Sequence, residues 1–301
     1  MMRSGDRMAG DTERQGSLEA APVRHPLLRA WDDYAELIER ADAIDIGALE
    51  RCRTAAMAID ACVRPCFRAQ DAGLLEDGLH YEARIAERDE LATRERNPHD
   101  LFNALVWLRH PQLKRALNAR QVADIARVGP KQRTRGQCAL THFDEAGAIV
   151  WLADASLLPL WDAHDWPALF LDRSASWGES IAVTVFGHAL VEHVWNGNDL
   201  PVAKALVVQL ADAQAIRRAA GQGAVIRRGG ETESAVAEAI AEGRVLADPQ
   251  ELRPLPLAGV PGWHARGADP EFVRAAPCFR PLRPGRRYPA PPSLTAPGQA
   301  S

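Results

Sequence analysis

The chain has 301 residues, 47% hydrophobic and 25% charged, ordinary proportions for a soluble globular protein. Thirty-six Lys and Arg against 40 Asp and Glu leave a formal net charge of -4. That balance argues against a dedicated nucleic-acid binder, and no apolar run is long enough for a membrane span.

Residues 1–25 are polar and carry Gly5, Gly10 and Gly16 without an apolar signal-peptide run, so they read as a loose tail and the cytoplasm as the compartment. Helix signals come next. Trp31, Tyr34, Leu37 and Ile38 recur at helical spacing, and residues 47–60 are alanine-rich with Leu49, Cys52, Ala56 and Ile59 near one face. A charged helix is expected from Tyr81 to Ala92. Asn97-Pro98 is a start signal, because Asn caps and Pro suits the first turn. It opens a buried helix through HDLFNALVWL, which Pro111 breaks or restarts into QLKRALNARQVADIARV.

After Gly129-Pro130 the pattern changes. CALTHFDEAGAIVWLA reads as a hairpin: a strand near 137–143, a turn around Asp144 to Gly147, and a strand near 148–152. Leu157 to Leu160 and WDAHDWPALF read as short helices in which Trp161, Trp166 and Phe170 pack. IAVTVF is strand-like and GHALVEHV helix-like, though one buried helix also fits both. Pro201 is expected to start a helix through KALVVQLADAQAIRRAA. Gly221 to Gly230 is the best internal seam, and ESAVAEAIAE a short helix after it. From Pro281 onward, repeated prolines and arginines imply an extended surface arm or a disordered tail.

Charge is uneven. Residues 31–93 carry a balance of -8 and residues 94–135 a balance of +7. Either the two stretches attract one another in the fold, or the second forms a basic groove for a phosphate-bearing ligand. The five cysteines (Cys52, Cys62, Cys66, Cys138 and Cys278) are odd in number and scattered, a poor disulfide framework. Cys62 and Cys66 are spaced to share a helix face, but zinc asks for about four ligands and no second pair is near. Small buried side chains explain them.

Three polar points carry potential chemistry. His188 and Glu192 are one helical turn apart and so share a face, able to offer a nitrogen and an oxygen to one ion. The apolar string FGHALVE around them makes an unpaired charge costly. His99-Asp100 opens the HDLFNALVW helix, where Asp100 suits the positive helix end and His99 is a further donor. Asp144-Glu145, with His142 nearby, places two carboxylates on the expected turn, where Asp is also favoured for purely local reasons.

The strings NPHDLFNALVWLRHPQLKRALN, ALTHFDEAG, VTVFGHALVE, GWH and FRP resemble a bacterial family, the domain of unknown function 3025, over roughly residues 76–284. The resemblance implies no activity. Its pattern falls on His99, Asp100, Phe102, Asn103, Trp107, Lys114, Asn118, Asp144, Glu145, Gly187, His188, Glu192, Trp263 and His264. It carries an apolar residue where this chain has His142, which demotes that histidine, and a tyrosine where this chain has Val191.

The expected fold is mainly α (α+β): one helical domain over 26–285 with a small antiparallel β-hairpin, and a Pro/Arg-rich tail over 286–301. The expected function is a divalent-metal-dependent hydrolase, with Zn, Mn or Fe held by His99, Asp100, His188 and Glu192. Glu145 then serves as base, with Asp144, Asn103 and Lys114 around a small-molecule substrate. The rival is a non-catalytic structural or partner-binding protein, in which the same residues form caps and buried ion pairs.

Overall fold

The computed structural model describes residues 25–220, 224–227 and 230–293. The tail expected over 1–25, His25 apart, and Gly221, Gly223 and Gly229 of the expected seam lie outside the described residues. No described helix is long and apolar enough to cross a membrane.

Helix α1 (Ile46–Met57) starts at Asp45, whose carboxylate accepts from the Ala48 N–H at 2.7 Å. Strand β1 (Cys66–Ala69), helix α2 (Tyr81–Arg88) and strand β2 (Glu90–Thr93) come next, with β1 and β2 paired in parallel. The helix expected to reach Ala92 therefore stops four residues earlier. Asp89 adopts the left-handed region at φ 53 and turns the chain into β2. The Trp31 region is also broken into short turns, Asp32–Tyr34 and Ala35–Glu39. Cys62 and Cys66 share no helix face, since Cys66 opens β1, and both are half-buried with free thiols rather than buried.

Helices α3 (Pro98–Arg109) and α4 (Pro111–Val128) match the expected pair. The Asn97 side chain accepts from the Asp100 N–H at 3.0 Å, and Pro111 restarts the chain after His110.

Helix α5 (Arg135–Ala146) overturns the expected hairpin. Thr134 and Gln137 form a capping box, each side chain bonding the other's main chain. Gly136, Ala139, Leu140 and Phe143 are buried at intervals of three or four, a helical period rather than a strand's. The strand after it, β3 (Gly147–Leu152), does pair antiparallel with β4 (Ile181–Val185), but across the long segment 153–180. In that segment Trp161, Trp166 and Phe170 are buried as expected.

Helix α6 (His188–Trp195) leads to strand β5 (Val202–Gln209), where a helix was expected from Pro201. VAKALVVQ has acceptable helix propensity, but it pairs in parallel with β3 from Lys204 to Gln209, and burial decides such a segment. Helix character begins only at α7 (Ala213–Ala220). Helix α8 (Gly230–Ala241) and strand β6 (Arg253–Pro256) complete a four-stranded mixed sheet in the order β4-β3-β5-β6. β3 and β4 are buried throughout, on both faces. The molecule is mainly helical, with two small sheets.

One close approach sets the spacing between α5 and α6. The N–H groups of Phe186 and Gly187 both donate to the Gly147 carbonyl, at 3.0 and 2.8 Å. A Cβ on Gly187 would lie 2.4–2.6 Å from main-chain atoms of Ala146 and Gly147. The start of α6 is thus pressed against the end of α5. Backbone cannot yield as a flexible side chain can, so Gly187→Ala is expected to destabilise by at least about 2 kcal/mol. Urea unfolding of G187A measures this, and a midpoint equal to wild type would show that the junction tolerates the methyl group.

Candidate metal centre

The Gly187 junction puts His188, at the first position of α6, beside Asp144 and Glu145 in the last turn of α5. The first turn of α3 packs against α6 and brings His99 to the same point. His99 Nε2 and His188 Nε2 stand 3.2 Å apart, and His188 Nε2 is 3.4 Å from Glu145 Oε2. These three donor atoms form a His/His/Glu cluster capable of coordinating a divalent ion. Two ligand atoms bound tetrahedrally at ~2.1 Å lie about 3.4 Å apart, so the two measured edges fit one ion.

The tautomers are set by the outer contacts. His99 Nδ1 is 2.7 Å from Glu192 Oε2. A carboxylate accepts only, so Nδ1 donates, and a neutral His99 presents its Nε2 lone pair to the cluster. His188 is buried. Burial above all, with the Lys114 ammonium nearby, lowers its pKa from 6.5 to about 4. Its Nδ1 has no hydrogen-bond partner of standard geometry, although the nearby Asp144 carbonyl favours a proton on the ring. With that proton on Nδ1, His188 also turns a lone pair inward. In that tautomer two lone-pair nitrogens at 3.2 Å and a carboxylate oxygen call for a cation among them; in the other, His188 Nε2–H donates to His99 Nε2.

A cavity of about 380 Å³ opens from this cluster. On its wall the buried Lys114 Nζ donates to Asp144 Oδ1 at 2.6 Å and to Asn103 Oδ1 at 2.8 Å. Asn103 in turn donates to the Tyr81 hydroxyl at 2.9 Å. Burial opposes ionisation of Asp144, but the Lys114 ammonium outweighs it and holds the carboxyl below its ordinary value. Protein crowds Asp144 on all sides, yet 31% of its side chain is accessible because it faces the cavity. Glu145 shifts the other way, pushed up by burial and then by Asp144.

The eight residues singled out in the sequence divide clearly. His99, His188 and Glu145 converge. Glu192 lies behind His99, on its outer nitrogen. Asp144, Asn103 and Lys114 line the cavity as a bonded trio. Asp100 also faces the cavity, but Arg94 engages both its oxygens, at 2.7 Å each, and it stays outside the cluster. Asp144 and Glu145 sit on a helix end, not on the expected turn. His142 lies outside this cavity's lining, as do Trp263 and His264; His264 stacks on Phe272 with ring centroids 4.4 Å apart. Sequence reading missed Tyr81 and Glu82. Glu82 accepts from Asn118 at 2.6 Å, and burial raises the pKa of both. Their segment is an ordinary charged helix start, with no spacing signal to find.

Fold and site together define a mainly helical protein with a mixed four-stranded sheet and a His/His/Glu cluster able to take a divalent ion. The chain belongs to the family described as protein of unknown function (DUF3025), which matches residues 66–283. No curated protein and no solved structure matches it.

The His188 shift has a pH consequence. Between about pH 6.5 and pH 4 the unfolded chain holds a proton on this ring that the folded chain refuses. Stability contributed by neutral His188 is therefore present above about pH 6.5 and lost as pH falls toward 4, by on the order of 3 kcal/mol. Denaturant unfolding of the metal-free protein at about pH 7 and about pH 4.5 is expected to show this loss, with a smaller loss in His188→Gln. Equal losses in the two proteins would assign the acid sensitivity to other groups.

Proposed function

We propose that the protein is a divalent-metal-dependent hydrolase acting on a small molecule bound in the 380 Å³ cavity. The supporting observation is the convergence of three donor atoms from three separate elements at edge lengths of 3.2 and 3.4 Å, beside a solvent-reachable polar hollow. In this reading His99, His188 and Glu145 are the ligands, the three-ligand pattern of catalytic rather than structural sites. A bound divalent ion supplies Lewis acidity and lowers the pKa of water. Glu192 holds His99 in the productive tautomer. With Glu145 among the ligands rather than serving as the base expected from the sequence, Asp144, ionised beside Lys114, is the carboxylate left facing the cavity to accept a proton. Asn103, bonded to both Lys114 and Tyr81, holds the lysine in place. Asp100, tied up by Arg94 and at the helix start, orients α3 rather than joining the ligands. Zn, Mn and Fe all accept imidazole and carboxylate donors.

The alternative is a metal-free network of structural ion pairs. The closed Lys114–Asp144 and His99–Glu192 contacts favour it, since each satisfies its own partners. Metal content separates the two. Protein purified gently at neutral pH is expected to carry about one equivalent of Zn, Mn or Fe by elemental analysis. His188→Asn and Glu145→Gln are expected to lose that metal while keeping wild-type circular dichroism. Metal-free protein whose thermal stability chelator leaves unchanged would return the structural alternative.

Glu192→Gln tests the orienting role by itself. It is expected to keep the ligands but weaken metal affinity about 10- to 100-fold, read by competition with a chromophoric chelator. Unchanged affinity would remove Glu192 from the centre.

A further inference from the structure

A second hollow, of about 650 Å³, lies between β5 and the C-terminal arm, and no residue of the candidate metal centre lines it. Lys204 of β5 and Arg280, Arg283 and Arg286 of the arm line it, and among the described residues no acidic side chain does. Burial first, and then the charges of those three arginines, lower the pKa of Lys204.

Nearby carboxylates are committed elsewhere. Asp162 accepts from Arg253 at 2.6 Å. Asp248 is engaged by Arg135, at 2.8 Å from Nη2. The Glu251 carboxylate accepts three main-chain N–H groups, from Leu246, Ala247 and Asp248, at 2.7–3.0 Å. Among the described residues, neither Lys204 nor Arg283 has a side-chain hydrogen bond or ion pair. Arg280 and Arg286 bond only main-chain carbonyls, the nearest being Pro277 at 3.3 Å and Gln250 at 3.2 Å.

The arm is anchored rather than loosely draped. The Arg280 carbonyl accepts from Trp166 Nε1 at 2.8 Å and from His164 Nδ1 at 3.0 Å. The opposite nitrogen of His164 then accepts from the Tyr288 hydroxyl at 2.9 Å. A turn through Gly285, at φ 76, closes with the Arg286 N–H on the Arg283 carbonyl at 3.0 Å. Arg286 also lies over the Tyr288 ring at 4.5 Å. Four cations thus line one hollow with no carboxylate among the described residues bonded to any of them, a positive field that favours an anion there. Guanidinium groups suit phosphate and carboxylate oxygens because they donate in pairs.

We propose that this hollow binds a small polyanion bearing two or more phosphate or carboxylate groups. Its volume is that of a small-molecule site, and the chain as a whole is acidic, which favours an enclosed ligand over an extended nucleic acid. The candidate metal centre lies in the other cavity. His142, which lines the polyanion hollow, is two residues from Asp144 on α5, so about 200° around that helix.

Calorimetry on the metal-free full chain, at low salt, tests the proposal with pyrophosphate, citrate and inorganic phosphate as probes. Pyrophosphate or citrate is expected to bind at least tenfold more tightly than phosphate, the stronger of the two telling phosphate from carboxylate recognition. Lys204→Glu and Arg283→Glu are each expected to weaken that probe at least tenfold with unchanged Tm, while His188→Asn leaves it intact. Two independent exposed variants guard against a misfolded one. Binding of both polyanions no tighter than phosphate, or undiminished in the charge reversals, would overturn the proposal. So would tighter binding of a short single-stranded oligonucleotide lost in the same variants, which would assign the patch to a polymer.

Discussion

The candidate centre depends on a backbone contact. Gly187 sits so close to Ala146 and Gly147 that a single methyl group would collide with main-chain atoms. Two hydrogen bonds to the Gly147 carbonyl hold the junction there. Because β3 begins and β4 ends beside this point, the buried sheet fixes its position from one side. The adjoining ends of α5 and α6 therefore meet with their polar residues facing each other. Without that approach His188 would be one more buried histidine, and Glu145 a surface carboxylate at a helix end.

Electrostatics then decides what the meeting point favours. Burial keeps His188 neutral, and Glu192 fixes the proton of His99 on the outer nitrogen. The His99 lone pair then faces the point where His188 Nε2 and the Glu145 carboxylate also stand. Lys114 works in the opposite sense a short distance away. It stabilises Asp144 as an anion and leaves the cavity wall balanced rather than uniformly negative. The polyanion hollow is the reverse case: cations gathered by an anchored arm, with the nearby carboxylates engaged elsewhere. Helix α5 contributes to both cavities from different faces.

Much of the helical half is legible in the sequence. Asn97-Pro98 and Pro111 are local signals whose meaning does not depend on distant contacts, and α3 and α4 begin where those residues say. The segment 135–146 imitates a hairpin because its apolar residues are few and the Asp-Glu-Ala-Gly string resembles a turn; the capping pair Thr134 and Gln137 is the local signal that marks it as helix. The segment 202–209 misleads for a different reason. Its alanines, lysine and leucine tolerate either state, and pairing with β3 settles the matter. For the site, His99, His188, Asp144, Glu145 and Lys114 stand out by residue type and setting, and all five line one cavity. Which carboxylate faces the histidines, and which stands behind, is not readable. The i, i+4 spacing of His188 and Glu192 suggests two ligands from one helix, whereas the packing of α3 against α6 places Glu192 on the far side of the His99 ring.

The residue string by itself determined the starts of α3 and α4, the strand over 148–152 and the types of donor atom available. These depend on dihedral preferences, caps and side-chain chemistry within a few neighbours. Only the tertiary structure decided that residues 99, 145 and 188 share a point, that Arg94 withdraws Asp100 from it, and that four cations of β5 and the arm enclose a hollow. Such convergence rests on close packing between segments far apart in the chain, and the spacing within any one segment carries no record of it.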